Sequence, residues 1–289
     1  MNYGLIGTGL MGFPMAMQLL KAGLTLSVFN RTREKAQPLI EHGATISSTP
    51  GDVLAAADCV LLMLTDTAAI RSTILSEDAR PHLAHRTIIQ MGTITPSESR
   101  ILAEEIQAVG GEYLEAPVLG SIPQVKDGSL IVMVGATEQQ FADWRSLLQV
   151  FGPEPTLVGP VGTAMALKLA MNQLIAGLTN AFALSLGFVQ RQGVDTDTFM
   201  DVVRGSALYA PTFDKKLSRM LDRNFDNPNF PSKHLAKDIG LFLQEAKDCD
   251  LMTDSLSGVQ SVVERAISLG LSNADYSALY EAVNPESPD

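Results

Sequence analysis

A glycine pattern close to the N-terminus limits the possible folds of this 289-residue chain more than any other feature. The segment Gly7-Thr8-Gly9-Leu10-Met11-Gly12 has the spacing G-x-G-x-x-G, with an apolar run before it and an amphipathic stretch after it. In a turn from strand to helix, the first glycine permits the bend and the second lets a pyrophosphate approach the backbone, while the third lets helix and strand pack closely. The pattern therefore predicts a dinucleotide-binding unit, and a glycine turn with a purely structural role is the alternative.

Short apolar runs alternate with helical patterns throughout residues 1–161. Strands that alternate with helices are joined by crossover connections, so we predict a Rossmann-type α/β domain with a mostly parallel, doubly wound sheet. The predicted strands are Tyr3–Ile6, Thr25–Phe29, Cys59–Leu64, Thr87–Gln90, Tyr113–Glu115, Leu130–Val134 and Thr156–Val158. The predicted helices include Leu10–Ala22, Thr32–His42, Pro50–Ala57, Ser97–Val109 and Glu138–Val150.

Helical patterns dominate the rest of the chain, residues 162–289. The stretch from 163 to about 192 lacks proline and is apolar on nearly all sides, which predicts a single helix roughly 45 Å long. We predict that this helix lies between the two domains and that an all-α C-terminal domain follows it. Lys168 and Asn172 lie within the apolar stretch and favour a buried helix over a membrane span, so no membrane partner is expected.

The composition argues against several other classes of function. Lys and Arg total 21 against 32 Asp and Glu, a formal net charge of −11, so nucleic acid is not an expected partner. The four histidines form no cluster with cysteines or acidic residues, and no metal site is expected. Two cysteines, Cys59 and Cys249, cannot form a disulfide framework, and no targeting segment is evident, which favours a cytoplasmic location.

The strand after the glycine pattern ends in Asn30-Arg31-Thr32, a sequence that bears on the choice of dinucleotide. A site selective for NAD usually has an acidic side chain here, which accepts hydrogen bonds from the ribose hydroxyls. A neutral amide, a guanidinium and a hydroxyl suit a 2′-phosphate instead, so we predict NADP (NADPH) as the cofactor. A solvated arginine at the start of a helix is the alternative.

Lys168 and Asn172 are four residues apart on the long predicted helix and therefore share one of its faces. A lysine that extends to water beside a polar neighbour is the structural alternative. On so apolar a helix, unpartnered polar groups would be costly, which favours a functional pair. Partial burial of an ammonium favours loss of its proton, so Lys168 suits a proton donor to a carbonyl oxygen, positioned by Asn172.

The glycine segment, the Gly162…Lys168…Asn172 spacing and the later Phe230-Pro231…Lys237-Asp238 segment together resemble the β-hydroxyacid dehydrogenases over nearly the whole chain. Within that family, the glyoxylate/succinic semialdehyde reductases are the most similar group, because they share Asn30-Arg31-Thr32 and Phe230-Pro231-x-Lys233-His234. The resemblance implies that Lys168 is the catalytic lysine and that Asn172 supports it and contacts substrate. It implies cofactor contacts for Met63, Leu64, Thr65, Thr93 and Lys237, and a substrate site closed by Phe230 and Asp238.

The loop expected to bind the substrate carboxylate departs from the family pattern. The family usually has Ala-Pro-Val-Ser-Gly followed by Gly or Ser, whereas this chain has Ala116-Pro117-Val118-Leu119-Gly120-Ser121. An aliphatic side chain thus replaces a hydroxyl donor, while the backbone N–H groups of Leu119, Gly120 and Ser121 remain available to an anion. The change favours a carbonyl substrate longer or less polar than glyoxylate.

These observations predict an NADPH-dependent oxidoreductase that reduces a small carboxylate-bearing aldehyde or keto acid to the hydroxy acid, with Lys168 as general acid. Glyoxylate, succinic semialdehyde and related semialdehydes are the candidate substrates. Three alternatives remain: oxidation of a 3-hydroxyisobutyrate-type substrate, reduction of another C=X bond such as an imine, and a non-catalytic NADP(H)-binding module. The long apolar helix also predicts a homodimer or homotetramer.

Overall fold

The protein, as a computed structural model that describes residues 1–285, divides into two compact units, Met1–Lys168 and Leu169–Asp289. The division falls inside the helix Thr163–Arg191. The predicted boundary between residues 161 and 162 lies just before that helix begins.

The first unit contains a nine-stranded sheet with helices before and after its strands. The strands are β1 Tyr3–Ile6, β2 Leu26–Phe29, β3 Thr45–Ile46, β4 Cys59–Leu62, β5 Thr87–Gln90, β6 Glu112–Glu115, β7 Val118–Leu119, β8 Ile131–Gly135 and β9 Thr156–Gly159. The helices are α1 Gly12–Lys21, α2 Pro50–Ala56, α3 Thr67–Ile74, α4 Pro96–Gln107, α5 Ile122–Asp127, α6 Glu138–Leu148 and the first turns of α7, Thr163–Arg191.

The strand order β3-β2-β1-β4-β5-β6-β8-β7, with β9 beside β8, confirms the predicted fold class. All pairs are parallel except β6 with β8 and β7 with β8. Alternate residues of one strand enter different cores: Leu5 packs in the cluster with Met15 of α1, and Ile6 packs in the cluster with Leu54 of α2. Because both faces of the sheet are covered, strands such as β4 are buried along their whole length.

Threonine and aspartate residues set the beginnings of several helices. Thr49, Thr95 and Thr137 each accept a bond from a backbone N–H three residues later, and the side chain at that later position accepts in return, which forms a capping box. Asp66 accepts from the N–H of Ala69 and begins α3. A helix whose first N–H groups are satisfied in this way begins at a defined residue, which fixes the loop before it.

Two local predictions were wrong. The predicted helix Thr32–His42 is instead two short 3₁₀ helices, Arg33–Lys35 and Gln37–His42, and the second has proline in its first turn. The short strands β3 and β7, two residues each, were not predicted, because so short a run has no periodicity to detect.

The second unit is helical, as predicted. It contains the remainder of α7 together with α8 Thr196–Arg204, α9 Pro211–Leu221, α10 Ser232–Lys247, α11 Asp254–Ala266 and α12 Leu279–Val283. One of its apolar clusters includes Ala176 of α7 with Leu235 and Ile239 of α10. Another is built around the stacked rings of Phe182 and Phe213, whose centroids are 4.5 Å apart.

α7 is long and apolar enough to cross a membrane by length and composition alone. Its side chains nevertheless belong to the apolar clusters of both units, through Met165 in the first and Ala176 in the second. Such packing is typical of the core helix of a folded domain.

Candidate active site

The parallel strands of the first unit end in one row of paired residues: Phe29, Ile6, Leu62, Gln90 and Glu115. The chain leaves β1 for β2 and β3 on one side and returns to β4 on the other, so the topological switch point lies between β1 and β4. Open α/β sheets bind ligands beyond the carboxyl ends of their strands at such a point. The predicted site segments that follow this row are Gly7–Gly12, Asn30–Thr32, Met63–Thr65, Thr93 and Leu119–Ser121.

Each glycine of the G-x-G-x-x-G segment has its own physical reason. Gly7 has φ +102°, and a Cβ there would lie 2.3 Å from the carbonyl oxygen of Met63. At Gly12, a Cβ would lie 1.8 Å from the carbonyl oxygen of Gly7, so this glycine is required for α1 to pack against the turn. At Gly9, no atom of the described residues lies within 4 Å of such a Cβ, so packing within residues 1–285 does not require a glycine there. Open space above an exposed backbone is what a bound pyrophosphate needs.

The beginning of α1 fits the phosphate groups of a dinucleotide. Its N-cap residue, Met11, makes no side-chain hydrogen bond, and its first turn has no acidic side chain. The hydroxyl of Thr8 is buried and has no hydrogen-bond partner among the described residues. A phosphate oxygen would satisfy both the helix N–H groups and this hydroxyl. The residues present therefore fit the pyrophosphate of a bound nicotinamide dinucleotide.

Asn30 has a structural task at the tip of β2. Its Oδ1 accepts from the N–H of Thr8 at 2.9 Å, and its Nδ2 donates to the carbonyl oxygen of Thr32 at 2.7 Å. The amide thus ties the glycine turn to the end of β2. Arg31 and Thr32 are exposed beside it.

Close backbone contact between the ends of β4 and β5 fixes the next two segments. A Cβ at Gly92 would lie 2.3 Å from the carbonyl oxygen of Leu64, so the two loops can approach only because residue 92 is glycine. The buried amide of Gln90 donates to the carbonyl oxygen of Gly92 at 3.1 Å. Thr93 is therefore held next to the segment that contains Leu64, both half-buried.

Part of the predicted substrate loop is already packed or hydrogen-bonded within the protein. Leu119 is half-buried in β7, paired with Ile131 of β8. Gly120 has φ +132°, and a Cβ there would lie 2.6 Å from Leu130. The N–H and the hydroxyl of Ser121 both donate to Oε1 of Gln124, at 2.9 Å each. An anion that used the donors of Ser121 would have to displace the Gln124 amide.

Glu115 is a residue of this region that sequence reasoning missed. It is fully buried at the end of β6, and its Oε1 accepts from the backbone N–H groups of Ala164 and Met165 at 2.9 and 3.0 Å. Burial raises the pKa of this carboxyl group, and its hydrogen bonds oppose that rise. A carboxylate directly after the apolar residues Tyr113 and Leu114, at the buried end of a strand, was the available signal. Lys168, one turn further along α7, is buried, with 9 % of its surface exposed.

The remaining predicted residues lie in the second unit. Asn172 Nδ2 donates to Oδ2 of Asp238 at 2.6 Å, and Lys237 Nζ is 3.1 Å from the other oxygen of the same carboxylate. The buried Oδ1 of Asn172 has no hydrogen-bond partner among the described residues. These three side chains form a polar group in which an acceptor remains for a ligand.

Phe230 and His234 are four residues apart and shortly precede Lys237 and Asp238 in the sequence. The ring of Phe230 meets that of Tyr276 edge-on at 5.9 Å and that of His234 in a stacked arrangement at 6.3 Å. Burial lowers the pKa of His234, and the positive charges of Lys237 and Lys233 lower it further. His234 was part of the motif that carried the family resemblance but was not predicted as a site residue.

No group of three or more His, Cys, Asp or Glu side chains that could hold a metal ion occurs within residues 1–285.

Comparison with known proteins shows which families the two parts of the chain resemble. Residues 2–168 match the family model described as the NAD binding domain of 6-phosphogluconate dehydrogenase. Residues 162–283 match the model described as NAD-binding of NADP-dependent 3-hydroxyisobutyrate dehydrogenase. These two matches cover the glycine turn and Lys168 in the first case, and Asn172 and Asp238 in the second.

Two curated relatives and one solved structure match nearly end to end. Glyoxylate/succinic semialdehyde reductase 1 of Arabidopsis thaliana is 31% identical, with 98% of each chain covered. 2-Hydroxy-3-oxopropionate reductase of Escherichia coli (strain K12) is 32% identical, with 98% of this chain and 97% of the relative covered. Mycobacterium tuberculosis 3-hydroxyisobutyrate dehydrogenase with L-serine has a TM-score of 0.87 at 22% identity over 98% of each chain, which establishes similarity of fold.

Proposed function

This chain belongs to the β-hydroxyacid dehydrogenase family, and from that premise we propose that it is an NADPH-dependent reductase of small carboxylate-bearing aldehydes or keto acids. Glyoxylate, succinic semialdehyde and related semialdehydes are the proposed substrates, and the hydroxy acid is the product. The observation that carries the proposal is the burial of Lys168 on α7. The first turn of α7 is hydrogen-bonded to Glu115 at the carboxyl end of β6. The glycine turn follows the carboxyl end of β1 in the same sheet.

The proposed chemistry divides between cofactor and protein. When bound, NADPH supplies a hydride to the carbonyl carbon of the substrate. Lys168 donates a proton to the carbonyl oxygen, so that the alkoxide does not accumulate as a free charge. In the reverse direction the same amine accepts the proton of the hydroxyl group.

Asn172 and Asp238 are proposed to orient the substrate. The amide of Asn172 is fixed by its bond to Asp238, so its Oδ1 has one direction in which to accept a hydrogen bond from a hydroxyl group. Lys237 neutralises the carboxylate of Asp238, which keeps a negative charge from repelling an anionic substrate.

The proposed preference for NADPH rests on the tip of β2. Asn30 is engaged with the backbone and carries no charge, and no acidic side chain stands at this position. Arg31 is exposed and cationic, as a 2′-phosphate requires. The description of the second matched family model, which refers to an NADP-dependent enzyme, supports the same preference.

We also propose a cytoplasmic homo-oligomer. Both cysteines are free, as a reducing compartment favours. Within the second unit, α7 exposes Leu174, Leu178, Leu184 and Phe188 along one face. A second copy of the chain would remove this apolar surface from water.

Steady-state kinetics of Lys168→Ala test the proposed function directly. We expect the variant to fold and to bind NADPH like wild type, because Lys168 is not required for the glycine turn. Its kcat should fall by about 10²–10⁴-fold, the usual contribution of a general acid. The measurement is NADPH oxidation at 340 nm with glyoxylate, succinic semialdehyde, tartronate semialdehyde and methylmalonate semialdehyde, beside fluorescence titration of NADPH. Wild-type turnover in the variant would refute the role of Lys168.

The same measurements separate the alternatives. A non-catalytic module would bind NADPH and turn over none of the carbonyl compounds. A reductase of imines would consume NADPH only when an amine accompanies the carbonyl compound. An enzyme that works in the oxidative direction would show a higher kcat/KM with NADP⁺ and 3-hydroxyisobutyrate than with NADPH and the semialdehyde.

A further inference from the structure

α7 begins without an N-terminal cap from its own segment. Gly162 precedes it, and its first turn has no acidic side chain. The N–H of Thr163 donates to the carbonyl oxygen of Pro160 at 3.1 Å. The next two N–H groups, of Ala164 and Met165, both donate to Oε1 of Glu115, which is 49 and 50 residues away in sequence. A side chain of β6 therefore caps α7.

The carboxyl group of Glu115 is held in one orientation. The hydroxyl of Ser99 donates to its Oε2 and also makes a 2.8 Å hydrogen bond with the hydroxyl of Tyr113. On its other side, a Cβ at Gly135 would lie 2.4 Å from Oε1, so β8 leaves room for the carboxyl group only because residue 135 is glycine. All of these groups belong to the first unit.

Glu115 joins two segments that the proposed reaction requires. The next residue, Ala116, begins the loop proposed to bind the substrate carboxylate. Met165, which it bonds, is three residues before Lys168, roughly 4.5 Å along the helix axis. If the first turn of α7 shifted relative to β6, the ammonium of Lys168 would move relative to this loop by about as much as the turn itself.

We propose that Glu115 is a positioning residue for the reaction, and that its bonds to Ala164 and Met165 fix Lys168 relative to the loop after β6. The inference rests on the proposed function, because Glu115 acts through Lys168. It makes no contact with the substrate or cofactor in this role. Its oxygen accepts the two N–H groups whether or not the carboxyl group is ionised.

The test compares kcat and KM for Glu115→Ala, Glu115→Gln and Glu112→Gln. We expect Glu115→Ala to lower kcat by roughly 10–100-fold with little change in the Kd of NADPH, since misplacement of a reacting group by about 1 Å costs this much. Glu115→Gln keeps an acceptor oxygen and should recover most of that loss. Glu112 is exposed at the other end of β6, so its variant controls for removal of a carboxylate from this strand.

A double-mutant cycle with Lys168→Ala distinguishes positioning from stability alone. If Glu115 acts through Lys168, Glu115→Ala should add little loss in the Lys168→Ala background. An equal loss in both backgrounds would overturn the inference, as would a folded Glu115→Ala enzyme that has wild-type kcat and only a lower Tm. If Lys168→Ala itself keeps wild-type turnover, the proposed function fails instead.

If Glu115→Ala does not fold, Ser99→Ala takes its place in the cycle. This variant removes the hydroxyl that holds Oε2 but leaves the carboxyl group. A lower kcat with unchanged NADPH binding would support the inference, and a wild-type kcat would contradict it.

Discussion

Asn30 and Arg31 are neighbours at the end of β2 and have different tasks. Both ends of the Asn30 amide are bonded to backbone, at 2.9 and 2.7 Å, so this side chain shapes the turn around Thr8. Arg31 is exposed and remains the cation that can approach a 2′-phosphate. The sequence predicted Asn30, Arg31 and Thr32 as one cofactor-binding group. In the structure, Asn30 holds the backbone of the turn, whereas Arg31 is an exposed positive charge.

Arg31→Ala is expected to raise the KM of NADPH by roughly 10–100-fold, because a hydrogen bond to a charged group is worth about 1.5–3 kcal/mol. The KM of NADH, which lacks the 2′-phosphate, should change little. Steady-state kinetics with both cofactors measure the difference, with Arg33→Ala as the control at an exposed arginine two residues away. Equal effects on NADPH and NADH would remove the basis for the proposed cofactor preference.

The three glycines of the turn between β1 and α1 meet two different requirements. Gly7 and Gly12 are required by the protein's own backbone, because a Cβ at either would lie within 2.3 Å of a carbonyl oxygen. Gly9 meets no such restriction. Its role, if the turn binds a dinucleotide, concerns the ligand alone.

Gly9→Ala and Gly12→Ala should therefore differ in kind. Gly12→Ala should lower the free energy of unfolding by about 1–3 kcal/mol or more, as overpacking does. Gly9→Ala should leave Tm unchanged and weaken NADPH binding, because the methyl group occupies space next to the phosphates. Thermal unfolding and fluorescence titration separate the two effects. A Gly9→Ala protein that binds NADPH like wild type would show that the open space is not the phosphate site.

At the level of the whole chain, α7 contributes residues to the apolar clusters of both units. A helix apolar on nearly all sides needs cover on most of them. Within the second unit, however, Leu174, Leu178, Leu184 and Phe188 are exposed, Phe188 with 63 % of its surface. This surface is the physical basis for the proposed homo-oligomer.

Light scattering should give a particle of two or four times the 31.0 kDa chain mass. Replacement of both Leu178 and Phe188 by Glu should reduce it to the monomer, because charged groups in an apolar interface lose their hydration. Ile40→Glu, at an exposed apolar residue of the first unit, is the matched control and should keep the assembly. A 31.0 kDa particle for the wild-type protein would end the proposal.

Local patterns were enough to predict much of the fold. Tyr3–Ile6 and Thr87–Gln90 were predicted residue for residue, and the long helix predicted from 163 to about 192 spans Thr163–Arg191. Periodicity and glycine spacing are properties of adjacent residues, so a single sequence contains them. The helix predicted over 32–42 was wrong because Pro38 lies in its interior. Proline has no backbone N–H to donate, so a helix that begins at residue 32 cannot continue through it, and a new 3₁₀ helix begins at Gln37.

The candidate site was only partly accessible from the sequence. The glycine turn, Lys168 and Asn172 could be proposed from the sequence because their motifs are contiguous or spaced by one helical turn. Glu115, by contrast, caps a helix that begins 48 residues later, and Asn172 is fixed by an aspartate 66 residues away. Such pairs form only when the chain folds back on itself, because hydrogen bonds between distant residues depend on packing rather than on spacing. Which atoms hold the lysine helix and the amide in place was therefore decided by tertiary structure, whereas the kinds of element and their order were set by local chemistry.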